Sequence, residues 1–410
     1  MAPNDKNDSE PGFSRRSLLM GATAMTAVGL VPKALAATVA AQGGGGVLAY
    51  AGCYTPNGGG IYQFRINLAT GALTQANLFP GVPNPSWITF GLGGTTLYAT
   101  NEIDNYNGTT SGSVSAFRID RSTGTLTALN VVSSEGGAPV YLNPHPSGKF
   151  LFVANYDGGS IAVLPIRSDG SLGAATDVKL DTGNVGPTTP TGAPPGSFAN
   201  SGHDAPHAHF IHSDPSGRFV LHVDLGQDRI YSWRFNATAG TLSPAAVPFV
   251  AVAPGAGPRH LAFHPNGRLV YLLTEESSTL STYAYNGNTG ALTLLQTVSA
   301  LPRGFAGTSY GSEVALSADG RFLYAANRLH DSIATFAIDG AGGLTLVGHT
   351  PTMGDYPRSF AIDPTGNFFY ATNQHSDAIT VFKIDRTTGQ PAFTGQYVPI
   401  GSPARLAFLI

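Results

Sequence analysis

The sequence predicts an all-β fold: a seven-bladed β-propeller of four-stranded antiparallel blades, closed by N- and C-terminal strands that share one blade. Three observations predict it. A unit of roughly 50 residues recurs along the chain, which is the scale of one propeller blade. The composition is rich in turn residues and poor in charge, with 52 Gly, 29 Pro and 11% charged residues in 410. That balance fits many short strands better than helices or disorder. Each end of the repeat array also carries only half a unit, so a ring is complete only when the two ends meet. Length alone would suggest two or three domains, but a repeat array closes as one.

Residues 1–36 read as a twin-arginine signal peptide. Ser14-Arg15-Arg16-Ser17-Leu18-Leu19 is followed by a mildly apolar run to Val31, then Lys33 and the small-x-small site Ala34-Leu35-Ala36. The apolar run is too short and too rich in Gly, Ala and Thr for a stable membrane span. The expected partner in transport is the twin-arginine export machinery, and the expected location is periplasmic or secreted. Residues 37–46 are a Gly-rich linker, and residues 47–410 are the propeller. The single cysteine, Cys53, excludes an internal disulfide. A net charge of −3 offers no basic surface for nucleic acid.

The most legible copy of the unit is Gly257 to Glu276. Arg259 opens an apolar strand, Pro265-Asn266-Gly267 supplies the turn, and a second apolar strand leads to Glu275. Antiparallel pairing brings Arg259 and Glu275 to one end of the hairpin. Second strands recur near Leu48, Leu97, Leu151, Val220, Val270, Leu323 and Phe369. Alternating third strands follow, such as Ser113 to Asp120, often closed by a Thr-Gly turn. First strands also recur, at Trp87, Val140, His209, His260, Glu313, Ser359 and Arg405, but out of phase. The last has no second strand after it, and Leu48 has no first strand before it. This pattern predicts a clasp that removes the open edges of a linear array. One connection is longer than the rest, Asp177 to Pro206, and is read as a loop that delivers His203, Asp204, His207 and His209.

Aligned on their turns, the repeats form two columns at one face of a central channel. The Arg259 column reads Ser86, Val140, His209, Arg259, Ser312, Arg358 and Ala404. The Glu275 column reads Cys53, Glu102, Tyr156, Leu225, Glu275, Arg328 and Gln374. In so weakly charged a chain, this convergence of arginines, glutamates and histidines is informative. A structural ion network among Arg259, Arg328, Arg358, Glu102, Glu275 and Glu313 would account for part of it. Metal binding by His203, His207, His209, His212 and Asp204 is disfavoured, because i, i+2 histidines on a strand supply only two ligands on one face. Neither a metal nor an organic cofactor is expected: no phosphate loop or dinucleotide fingerprint occurs. No Gly-x-Ser-x-Gly elbow occurs either. Arginine forks suit carboxylate, phosphate or a developing oxyanion, and carboxylate and imidazole suit proton transfer. Together these groups suit opening or closing a lactone.

Pro206-His207-Ala208-His209, Asp224-Leu225-Gly226-Gln227-Asp228, Gly257-Pro258-Arg259-His260-Leu261-Ala262-Phe263-His264-Pro265, Ser312-Glu313-Val314 and Ala326-Asn327-Arg328 resemble phrases of the seven-bladed propeller lactonases. That family contains bacterial 6-phosphogluconolactonases and fungal 3-carboxy-cis,cis-muconate lactonising enzymes. The resemblance spans Val47 to Ile410 and implies a metal-independent site at the channel mouth. Its catalytic set, one histidine, two arginines and one glutamate, falls on His207 or His209, Arg259, Arg328 and Glu275. The expected roles are Glu275 as general base, either histidine as acid, and Arg259 with Arg328 on the acid group and ring carbonyl. Arg358, Glu102, Ser312, Glu313, Tyr156 and Gln374 are the expected substrate contacts. Changing Glu275 to Gln is expected to abolish turnover with folding intact. An exported member would take a sugar lactone or related anionic lactone other than the phosphorylated one made inside cells. A lactonising cycloisomerase and a non-catalytic binder of a sugar or protein remain open on the sequence alone.

Overall fold

The second strand of every unit is mostly apolar on both faces, so it has to be covered on both faces. The fold does this by stacking sheets side by side. The computed structural model describes residues 47–198 and 202–410; the signal and linker read from the sequence lie outside them. The described residues form seven four-stranded antiparallel sheets, and all seven second strands are buried along their whole length. The outer, fourth strands are largely exposed. Each first strand packs against the first strands of its two neighbours, and the series returns to its start, so seven blades surround one channel.

Blade I is the clasp. Pro403–Phe408 pairs with Leu48–Cys53, which continues through Gly60–Ile66 to Leu73–Pro80. Blades II to VII follow in chain order. The long connection is not wholly loop: Asp177–Leu180 is the fourth strand of blade III, paired with Ser160–Pro165. Its polar, exposed sequence hides it, as suits an outer edge strand.

Adjacent blades are pinned by a repeated hydrogen bond. Tyr50, Tyr98, Tyr271, Tyr324 and Tyr370 on second strands donate their hydroxyls to the carbonyls of Gly124, Gly170, Gly342, Gly389 and Gly71, at 2.6–3.2 Å. Each acceptor is the turn glycine between the third and fourth strands of the next blade. At Gly71 only glycine fits: φ is +74°, and a Cβ would stand 2.4 Å from the Phe368 ring.

The channel mouth is built from β-bulges. The pairing of first with second strand slips at Val140, His209, Arg259, Ser312–Glu313, Arg358 and Ala404. A bulge re-aims the side chain it frees, which is how one column of the sequence turns into the channel. Ala138, Tyr310, Tyr356 and Ser402, just before four of these strands, take positive φ. Such strain in non-glycine residues gathers where the surroundings over-determine the backbone.

Candidate active site

The two columns are locked together by the backbone. Glu275 N–H donates to Gly257 O, Arg328 to Tyr310 O, Gln374 to Tyr356 O, Tyr156 to Ala138 O and Glu102 to Asn84 O. In blade I the same bond is made by Tyr54, to Ser402 O at 3.0 Å. The second-column residue of that blade is therefore Tyr54. Cys53 is the last residue of its strand and fully buried. Six blades keep one interval from first to second column, as from 259 to 275 and 358 to 374. Blade I has no hairpin to carry that interval, which is why its alignment slips by one.

Arg259 and Arg328 each take one oxygen of Glu275, and all three are almost fully buried. Arg259 Nε also donates to Ser312 O at 2.9 Å. Arg328 donates to Tyr310 O at 3.2 Å and to Tyr356 Oη at 3.3 Å, with its guanidinium between the two tyrosine rings. Burial alone would raise the pKa of Glu275, but the two arginines outweigh it and bring it to about 2.

Arg358 belongs to a second group. Its guanidinium lies 4.8 Å from the Tyr54 ring and 3.7 Å from Glu102 Oε2, which also accepts from Tyr54 Oη at 2.6 Å. Next to Glu275 sits Glu276, fully buried with both carboxyl oxygens unpartnered. Burial first, and then the charge of Glu275, push it up to about 8, so it is uncharged at neutral pH. Three guanidiniums thus face two carboxylates around the mouth, and the excess is positive.

The histidines differ from one another. His207 stacks on Tyr156, with centroids 4.1 Å apart; its Nδ1 meets Tyr156 O at 3.0 Å and its Nε2 meets Asp204 Oδ1 at 2.8 Å. Both partners are acceptors, so the ring satisfies both contacts only as the imidazolium. His209 is buried, and burial, then Arg259 and the other cations, hold its pKa well below the usual histidine value. It is a neutral imidazole. His203 pairs with Asp228 at 3.1 Å and His212 with the carbonyl of Ser213, so the cluster considered as a metal site does not converge.

Ser312 and Glu313 are engaged elsewhere. Ser312 Oγ donates to Pro357 O at 2.6 Å. Glu313 lies one tier deeper and accepts from Arg405, Ser359 and His260. Gln374 stands at the rim with its side-chain oxygen unpartnered. Tyr54, Tyr310, Tyr356, Glu276, His260 and Arg405 were not singled out from the sequence. For Tyr54 the bulge opposite Ala404 was the missing signal.

The long connection crosses this same face. It hydrogen-bonds to Gly226, Pro254, Gly307 and Thr308 on the way from blade III to its second anchor at His203.

Residues 48–408 match the family described as lactonase, 7-bladed beta-propeller. The chain belongs to the lactonase family of seven-bladed β-propellers. It is 34% identical over 315 residues to the 6-phosphogluconolactonase of Bacillus subtilis strain 168, covering 76% of this chain and 84% of the relative. It is 32% identical over 311 residues to the 6-phosphogluconolactonase of Formosa agariphila, covering 74% and 82%. Among solved structures, the periplasmic gluconolactonase of Pseudomonas aeruginosa is 35% identical, with a TM-score of 0.80 over 89% of this chain and 99% of that one. The homologues are lactone hydrolases, and this chain is an enzyme of that class. No helix among the described residues is long and apolar enough to cross a membrane.

Proposed function

We propose that the chain hydrolyses a sugar lactone, with the lactone carbonyl seated against Arg259 and Arg328. The excess positive charge of the buried mouth carries this reading. It suits an anionic lactone, the oxyanion formed on its carbonyl, and the carboxylate product. Both oxygens of Glu275 are taken by Arg259 and Arg328, so the general-base role read from the sequence is not kept: Glu275 positions the two arginines. Neutral His209 takes the proton from water as its oxygen attacks the carbonyl carbon. The ring C–O bond then breaks, and His207, giving up its contact with the exposed Asp204, protonates the leaving alkoxide. One water is consumed and one hydroxy acid released. Arg358, Tyr54 and Gln374 contact the rest of the sugar.

The test is acid release from a panel of neutral and anionic aldonolactones. H209N should lower kcat by about 100-fold or more, and R358Q should mainly raise KM for the anionic substrates. Wild-type turnover in H209N would sink the assignment of the base. No acid release from any lactone would sink the reading as a whole.

The twin-arginine pattern at residues 14–19 supports export, as does the likeness to a protein described as periplasmic. A sugar lactone formed outside the cytoplasm is then the substrate. R15K/R16K should retain the protein in the cytoplasmic fraction; unchanged export would refute the route.

A further inference from the structure

Below the rim, the channel holds polar groups that the steps above leave unused. Glu313 Oε1 lies 3.0 Å from His260 Nδ1, and its Oε2 accepts from Arg405 at 2.8 Å and Ser359 at 3.0 Å. Burial would raise the pKa of Glu313, but His260 and Arg405 bring it below the ordinary value, so it is ionised. A carboxylate only accepts, so the proton of His260 sits on Nδ1. His260 itself is neutral, because burial, helped by Arg259 and Arg405, lowers its pKa against the opposing pull of Glu313. Trp87, Tyr141 and Phe210 enclose it, with ring centroids 5.5, 5.2 and 5.6 Å away. A neutral imidazole protonated at Nδ1 has a bare lone pair at Nε2. That nitrogen is buried and has no other partner.

His209 is the next ring, with its centroid 5.1 Å from that of His260 at an angle of 56°. Its Nδ1 is likewise buried and unpartnered. The two nitrogens are not hydrogen-bonded as placed, but the ring separation leaves room for one N–H···N bond, an ordinary donor–acceptor distance plus a ring radius on either side. The terminal torsion of histidine is broad, so a modest ring rotation aligns the pair. The opposite tautomer of His209 would set two buried lone pairs side by side, each without a donor.

We propose that Glu313 and His260 are positioning residues, which hold His209 as the Nδ1–H tautomer and so leave its Nε2 lone pair free to accept a proton. This rests on the reading of His209 as the base. Without the pair, His209 would populate the tautomer whose proton blocks Nε2.

The test is a two-bond 1H–15N correlation spectrum of the histidine-labelled full chain, with His209 assigned by its loss in H209N. His209 should carry its proton on Nδ1 in the wild type and shift toward Nε2 in H260L. In the lactone assay, H260L should lower kcat by about 100-fold with KM changed less than about threefold. H260Q, whose side-chain oxygen can accept the same N–H, should recover most of the loss. A wild-type spectrum with the His209 proton on Nε2 would overturn the proposal, and needs no variant to fold. Wild-type kcat in H260L would overturn it equally. If the wild type opens no lactone, the proposed function fails, while the spectrum still decides the tautomer.

Discussion

At Glu275 two effects oppose each other on one carboxyl. Burial favours the protonated form, two guanidiniums favour the charged form, and the guanidiniums win. The sequence alone predicted that Glu275→Gln would leave folding intact. The structure reverses that, because the change leaves Arg259 and Arg328 buried without a counter-charge. Removing one partner of a buried ion pair costs about 3–5 kcal/mol. Urea denaturation of E275Q should show a loss of that order, and an unchanged midpoint would mean that the arginines are solvated. Glu276 has the opposite sign. Its folded pKa lies above its unfolded one, so its stabilising contribution is full below the ordinary glutamate range and is lost as pH rises through about 8. Asp224 behaves alike, raised to about 8 by burial and Asp181. Wild type should therefore melt at lower temperature at pH 9 than at pH 6. E276Q should flatten part of that fall, and should also suppress a rise in KM for anionic lactones above pH 8. Parallel melting curves for wild type and E276Q across that window would contradict a buried neutral acid.

Elements place these residues, and the tyrosine–glycine bonds between blades fix where the elements sit. Tyr370 to Gly71 is the bond that spans the two ends of the chain. Tyr370→Phe leaves a buried carbonyl without its donor, at a cost of about 1–3 kcal/mol. Chemical denaturation should show it; a change below about 0.5 kcal/mol would mean that water replaces the hydroxyl. How much of this was legible follows from what each feature depends on. The blades, the clasp and the Arg259–Glu275 pair rest on periodicity and on hairpins of fixed length, which a sequence displays. Tyr54 escaped because its hairpin partner lies at the far end of the chain. The strand Asp177–Leu180 escaped because an exposed edge needs no apolar pattern. Glu313 was read one tier too high, since its contacts to Arg405 and Ser359 join blades VI, I and VII. Only the closed ring sets that geometry.

For the whole molecule, the site exists because distant segments share one channel. Arg405 reaches Glu313 only if Pro403–Phe408 sits beside Leu48–Cys53, which makes the clasp a condition for the deeper tier as well as for closure. Leu48–Cys53 is buried along its full length. Ending the chain at Ser402 would uncover that strand's backbone donors and acceptors, a template for pairing with other chains. It would also open the lateral packing of blades VII and II, which close on Pro403–Phe408. The truncated protein should lose its single cooperative melting transition and associate in light scattering, with loss of any lactone turnover. A chain ending at Ser402 that stays monomeric and melts cooperatively would show that six complete blades hold the ring without the seventh. The channel would then owe its shape to the individual blades rather than to closure.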